Sequence, residues 1–220
     1  TRILKENGFD RVITVPEQEM PDGNFPTCPY PNPEAREAME LGISLAQRTE
    51  SELVLATDPD CDRVGIAIKQ GREFVLLSGN EVGILLLDYI CKRSIAMGRM
   101  PDRPVAVKTI VTIDMAKKIA AQYGIELREV LTGFKYIGEQ IGMLEKAGQS
   151  ERFIFGFEES YGYLSGSYVR DKDGVNASLL ICEMTVYYKA RGLTLQDALN
   201  QLYETYGYCL NTQHTYAFEG

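Results

Sequence analysis

The stretch Leu53-Val54-Leu55-Ala56-Thr57-Asp58-Pro59-Asp60-Cys61-Asp62-Arg63-Val64-Gly65-Ile66-Ala67-Ile68 sets an apolar run on either side of a turn with three aspartates at alternate positions. Short apolar runs bounded by a turn read as strands. Two unit charges about 4 Å apart repel by roughly 4 kcal/mol at an effective dielectric near 20. Three gathered carboxylates are therefore costly unless a cation sits among them. On a straight strand Asp58 and Asp62 would lie roughly 13 Å apart at about 3.3 Å per residue, so the turn must curl to focus them. Pro59 favours this, since its ring fixes φ and biases Asp58 towards an extended backbone. The all-oxygen set of Asp58, Asp60 and Asp62 suits a hard cation, Mg²⁺ before Ca²⁺. An EF-hand is excluded by spacing, because a loop opening at Asp58 would put Arg63 where Gly is needed and Lys69 where Glu is needed. The plain alternative is an acidic turn between strands.

Outward from this turn, strand-like runs occur at residues 11–15, 52–56, 64–68, 74–77, 105–112, 126–130 and 152–157. Helical patterns occupy 33–48, 80–97, 114–123, 135–147, 175–191 and 194–206. In the second of these, Val82, Leu85, Leu86, Tyr89 and Ile90 follow the 3.6-residue period of a buried face. The first is expected to open at Pro33, capped by Asn32, with Glu34 near the positive end of the dipole. Strands alternating with helices imply an α/β protein of two α/β/α layered domains with mixed, mostly parallel sheets. The Lys69-Gln70-Gly71-Arg72 turn marks the boundary between them.

With 220 residues, 45% hydrophobic and 25% charged, the chain has the composition of a soluble globular protein. A net charge of −8 and a pI near 4.9 argue against nucleic acid or an anionic membrane as partner. No apolar stretch reaches the roughly 18 residues of a spanning helix, and the opening residues do not read as a signal peptide. Cys28, Cys61, Cys91, Cys182 and Cys209 are odd in number and lack CxxC spacing, so reduced thiols and a cytoplasmic setting are expected. Both ends read as cut. Residues 1–8 resemble the tail of a helix closed by Gly8, and residues 215–220 are an alternating run that stops short. The expectation is an excised piece of a longer protein.

Three further segments fall where strands end. Thr132-Gly133-Phe134-Lys135 opens a helix and is a candidate anion site; an ordinary capped helix start is the alternative. Gly156-Phe157-Glu158-Glu159-Ser160-Tyr161-Gly162 sets carboxylates and a hydroxyl between glycines, which suits sugar hydroxyls as donors. Arg170-Asp171-Lys172-Asp173-Gly174 is a mixed-charge turn. Read singly, the last two are also ordinary surface turns.

In this order the four segments resemble the α-D-phosphohexomutase family, the phosphoglucomutases and phosphomannomutases, over nearly the whole chain. Asp58–Arg63 resembles the family's metal loop and Gly156–Gly162 its sugar-recognition loop. Pro59, Cys61 and Phe157 stand where small residues are usual, as in a branch that also holds phosphopentomutases, so hexose and pentose phosphates both stay open. The resemblance implies a four-domain enzyme interconverting hexose 1-phosphate and hexose 6-phosphate through a phosphoserine and a bisphosphate intermediate. It implies Mg²⁺ on Asp58, Asp60 and Asp62, catalytic roles for Arg63 and Lys172, and substrate binding by Thr132, Gly133, Lys135, Glu158, Ser160 and Lys172. Residues 1–72 would be most of the second domain, without its first strand. Residues 73–207 would be the third domain, and residues 208–220 the start of a linker to a fourth. The family's Ser-His loop does not occur here; the sole histidine is His214. The family's phosphate-binding loop rich in Arg, Ser, Gly and Thr is also missing, so the chain by itself is expected to be inactive, with the remaining domains of the parent chain as its partners.

Two rival readings stay open on sequence. A haloacid dehalogenase-type phosphatase or phosphotransferase would use Asp58 as nucleophile and Asp60 beside it, leaving Asp62 and Arg63 unexplained. A non-catalytic module would bind a sugar phosphate or metal without turnover.

Overall fold

The computed structural model describes residues 1–212. His214 and the run at 215–220 lie outside the described residues. Helices α1 (Arg2–Glu6), α2 (Pro16–Glu19) and α3 (Arg36–Arg48) precede a hairpin made by the two apolar runs, β1 (Leu53–Thr57) and β2 (Val64–Gln70). They pair antiparallel from Leu53 with Ile68 to Thr57 with Val64. β3 (Glu73–Leu77) returns antiparallel along β2, giving the sheet order β1-β2-β3.

β2 is buried on both faces. Val64, Ile66 and Ile68 enter the main core, whereas Ala67 joins Met39, Ile43 and Ala46 of α3 with Val54 and Phe74. Successive strand side chains point to opposite faces, so a doubly covered strand reads as a continuous apolar run. Helix α4 (Gly79–Ala96) follows. Its N-terminus is closed by a capping box in which Ser78 Oγ accepts from the Glu81 amide and Glu81 Oε2 accepts from the Ser78 amide. Val82, Ile84, Leu85, Leu86 and Leu87 are all solvent-inaccessible, so this helix is a central pillar packed on more than one side.

The second sheet runs β5 (Glu126–Val130), β4 (Val105–Thr109), β6 (Phe153–Phe157), β7 (Tyr163–Leu164), with β4 parallel to β5 and β6 and β7 antiparallel to β6. Val105, Val107 and Phe153 pack on Phe134, Ile137, Ile141 and Leu144 of α6 (Phe134–Lys146). On the other side Ala106, Phe155 and Phe157 share a core with α4, α5 (Met115–Tyr123), α7 (Gly174–Lys189) and α8 (Leu195–Tyr206). The α/β/α layering and the mixed, mostly parallel second sheet match the expected class. No helix among the described residues is long and apolar enough to cross a membrane.

Four local expectations need correction. No strand forms at residues 11–15, and Ile13 is 54% exposed; an alternating sequence becomes a strand only where a neighbouring edge satisfies its backbone. The first sheet is wholly antiparallel, because its strands are joined by the tight turns 58–63 and 71–72 and not by crossover helices. Helix α3 starts at Arg36 rather than Pro33. Asn32 Oδ1 accepts instead from the Glu34 amide at 3.0 Å, so Asn32 makes a local turn and not a helix cap. Finally, β4 ends at Thr109, where the chain turns so that Thr109 and Thr112 hydroxyls meet at 2.6 Å.

Candidate active site

β1, β4, β5 and β6 all deliver a loop from their carboxyl ends, the usual place for ligand sites in parallel α/β sheets. The aspartate turn leaves β1. Asp58 is 3% exposed. Its Oδ1 accepts from the backbone amides of Asp62 (3.1 Å) and Arg63 (3.0 Å), and its Oδ2 accepts from Arg63 Nε at 2.7 Å. Cys61 adopts a left-handed φ of 59°, unusual for a residue with a Cβ, and its amide donates to the Asp58 carbonyl at 3.0 Å. This coil brings oxygens of Asp58, Asp60 and Asp62 within 4.8 Å of one another.

The three carboxyls differ in surroundings. Burial works to raise Asp58, but the donors from Arg63 and the neighbouring Asp62 carboxyl overcome it and hold Asp58 below the usual carboxylate range. Burial, reinforced by the Asp58 carboxylate, pushes Asp62 upward against the opposing pull of Lys172. Asp60 is exposed. Asp62 Oδ2 pairs with Lys172 Nζ at 2.7 Å, whereas Asp62 Oδ1 is buried and accepts no hydrogen bond. A buried acceptor without a donor carries a desolvation cost of about 1–3 kcal/mol. A divalent cation at the turn would satisfy it, so the residues present fit the hard-cation reading.

The second loop leaves β6. Glu158 is 5% exposed, and its Oε1 accepts from the Gly133 amide at 2.9 Å, which joins the loop after β5 to the loop after β6. Burial raises the Glu158 pKa, with the Gly133 amide and the Lys172 charge opposing. Glu159 turns the other way. Its Oε2 accepts from the hydroxyls of Thr109 (3.0 Å) and Thr112 (3.2 Å) beyond β4. Those two threonines went unrecognised in the sequence; the available signal was the pairing of adjacent carboxyls after a strand, which must point to opposite sides.

The two loops are joined through the backbone. Arg63 and Gly162 form an isolated antiparallel bridge, the Val64 amide donates to the Tyr161 carbonyl at 3.2 Å, and the Gly174 amide donates to the Cys61 carbonyl at 3.0 Å. Lys172 lies between them. Its stem packs so closely on Gly162 that a Cβ there would sit 2.3 Å from Lys172 Cδ, and its ammonium is 5.6 Å from the Phe134 ring centroid.

Asp58, Asp62, Arg63, Gly133, Glu158 and Lys172 are thus linked by a continuous set of contacts, with Asp60 at its exposed edge. Ser160 is half-buried and makes no side-chain hydrogen bond among the described residues. Thr132 and Lys135 are exposed at the start of α6, with Lys135 Nζ 5.0 Å from the Tyr136 ring centroid; no contact ties either one to the turn.

Residues 78–206 match the model of the phosphoglucomutase/phosphomannomutase α/β/α domain III, and residues 1–71 match that of domain II. The phosphoglucomutase of Staphylococcus aureus (strain MRSA252) is 36% identical over 219 residues, which cover 99% of this chain and 38% of that protein. That of Staphylococcus haemolyticus (strain JCSC1435) is also 36% identical, over 99% of this chain and 39% of that protein. The chain therefore spans less than two-fifths of the length of these curated relatives. Among solved structures, a phosphomannomutase described as putative from Thermus thermophilus superposes with a TM-score of 0.61 at 24% identity, covering 80% of this chain and 36% of that one. A phosphoglucomutase/phosphomannomutase family protein from Burkholderia thailandensis gives a TM-score of 0.62 at 19% identity over 82% of this chain and 35% of that one. These two likenesses concern the fold.

Proposed function

The chain belongs to the phosphoglucomutase/phosphomannomutase family, and from that premise we propose that it is the cation- and sugar-binding part of a hexose-phosphate mutase. In this reading residues 1–72 supply the aspartate turn, residues 73–207 the sugar loop, and residues 208–220 lead towards a further domain. The parent enzyme would interconvert hexose 1- and 6-phosphates through a phosphoserine and a bisphosphate intermediate. The observation that carries the proposal is the Arg63–Gly162 bridge, which seats a three-carboxylate turn directly against a turn that presents a buried Glu158 and an unengaged Ser160 hydroxyl.

Asp58, Asp60 and Asp62 would hold Mg²⁺, whose charge favours phosphoryl transfer by offsetting negative charge on the group in flight. Arg63 is oriented by Asp58 through Nε alone, which leaves its terminal guanidinium nitrogens to meet phosphate oxygens. Glu158 Oε1 is fixed by the Gly133 amide, so the carboxylate is presented in one orientation to sugar hydroxyls. Ser160 adds a hydroxyl that can donate or accept, which suits a substrate that must bind in two orientations. Thr132, Gly133 and Lys135 would contact substrate from the start of α6. Lys172 is a candidate phosphate contact or proton carrier. Asp58 as a covalent nucleophile, the dehalogenase-type reading, leaves the gathering of Asp62 with Asp58 and Asp60, and the pairing of Arg63 with Asp58, without a role. The unpaired cysteines support a reducing, cytoplasmic setting.

Two outcomes test the proposal on the chain itself. Titration calorimetry should find weak Mg²⁺ binding, with Kd of about 1 mM or weaker, roughly −4 kcal/mol, because Mg²⁺ dehydrates reluctantly and three carboxylates alone make a poor cage. Asp60→Asn should weaken it further; tight binding that survives this change would sink the assignment. In a coupled assay the chain should give no turnover of hexose phosphates, because covalent transfer needs a nucleophile that none of the residues assigned here provides. Steady turnover would overturn the division of labour between this chain and the rest of its parent.

A further inference from the structure

We propose that Lys172 competes with a divalent cation for Asp62, so that cation binding at the aspartate turn and release of the Lys172 ammonium are two sides of one equilibrium. The inference rests on the cation reading of the turn given above and adds a control element to it.

Of the three carboxylates, Asp58 is committed to Arg63 and to two backbone amides, and Asp60 stands in solvent. Asp62 alone is divided. Its Oδ2 carries the Lys172 ammonium at 2.7 Å, while its Oδ1 is buried and unbonded, with Arg63 Nε no nearer than 3.7 Å. The lysine is held there by shape as well as charge. Its side chain is 16% exposed, its stem lies on Gly162, and Asp171 Oδ1 adds a second acceptor at 3.1 Å. A divalent cation on Oδ1 would share one carboxylate with this ammonium. The shared negative charge cannot neutralise both, and the two cations repel across a short span of partly buried space. Lys172 is therefore a resident counter-ion that lowers cation affinity. Once a cation takes the carboxylate, the ammonium is freed towards the Gly162 side, where the sugar loop ends. Linkage makes the effect reciprocal: an anion that draws Lys172 away must tighten cation binding by the same factor.

Mg²⁺ affinity of the chain, measured by calorimetry with Mn²⁺ electron paramagnetic resonance as a second probe, tests this. Lys172→Met keeps the stem and removes the charge, and it should tighten cation binding about tenfold, within the usual range of coupling between sites. Lys172→Arg keeps the charge and should stay near wild type. Unchanged or weaker binding in a folded Lys172→Met chain would overturn the proposal. If Asp60→Asn leaves cation affinity untouched in both backgrounds, the cation reading of the turn fails instead, and the proposal with it. Should Lys172→Met not fold, the wild-type chain decides. The Lys172 side-chain resonances should move on Mg²⁺ saturation, and resonances that stay put would overturn the competition.

Discussion

Replacing Glu158 with alanine in the full-length parent is expected to lower catalytic efficiency about ten- to hundredfold while leaving divalent-cation affinity unchanged. A hydrogen bond to a charged group is worth roughly 1.5–3 kcal/mol, and about 1.36 kcal/mol is one decade in rate. Glu158 lies across the backbone bridge from the aspartates, on the side proposed to meet the sugar, and makes no direct contact with Asp58, Asp60 or Asp62. The loss should therefore appear in kinetics and not in metal titration. Alanine also strips the Gly133 amide of its acceptor, so Glu158→Gln is the companion variant: it preserves that hydrogen bond at 2.9 Å and removes the charge. Steady-state kinetics with a melting curve as control separates the cases. A folded Glu158→Ala enzyme of normal efficiency would mean that this loop does not recognise the sugar.

The second large effect is on stability. Gly79→Ala should lower the melting temperature of the chain by about 6–12 °C, from overpacking of about 3 kcal/mol at roughly 2–4 °C per kcal/mol in a chain of this size. An added Cβ would lie 2.0 Å from the Glu159 carbonyl oxygen and 2.7 Å from the Tyr161 amide nitrogen. Both are backbone atoms, so no side-chain rotation relieves the clash and either α4 or the sugar loop must move. Gly142→Ala is the matched control. It makes the same change inside α6, where nothing lies within 4 Å of the new methyl, and should be neutral or stabilising by up to about 1 kcal/mol. A Gly79→Ala chain that melts at the wild-type temperature would contradict the close packing of α4 on residues 159–161.

How much of this was legible in sequence depended on range. The aspartate turn could be read because Asp58, Asp60 and Asp62 are neighbours along the chain and their mutual repulsion demands an explanation. The helix of residues 79–96 could be read because its apolar period is local. Pairings between distant segments were not legible. The Glu159 clasp on Thr109 and Thr112 joins residues 50 and 47 positions apart, and nothing in either segment names the other. Residues 11–15 failed for the converse reason. Val12, Thr14 and their neighbours have strand chemistry, but strand formation is decided by an available edge and not by composition. The resemblance supplied the order of the four segments. It did not supply Lys172 on Asp62, nor the unbonded Asp62 oxygen, since both depend on how two loops meet.

The bridge between Arg63 and Gly162 has a consequence for how such a protein can change over time. It is a main-chain clamp, so the separation of the acidic turn from the hydroxyl-facing turn is set by peptide geometry and is indifferent to most side chains on either loop. In the proposed reading, substitutions at the half-buried Ser160 can then alter which ring is accepted without resetting the distance between the two turns; Phe157, fully buried in the core, has no such freedom. Gly79 and Gly174 press on the backbone of the two loops, and at Gly162 Lys172 leaves no room for a Cβ, so a side-chain change there alters the ruler itself. Divergence in substrate is expected to run through the turn residues around those glycines and to leave the glycines alone.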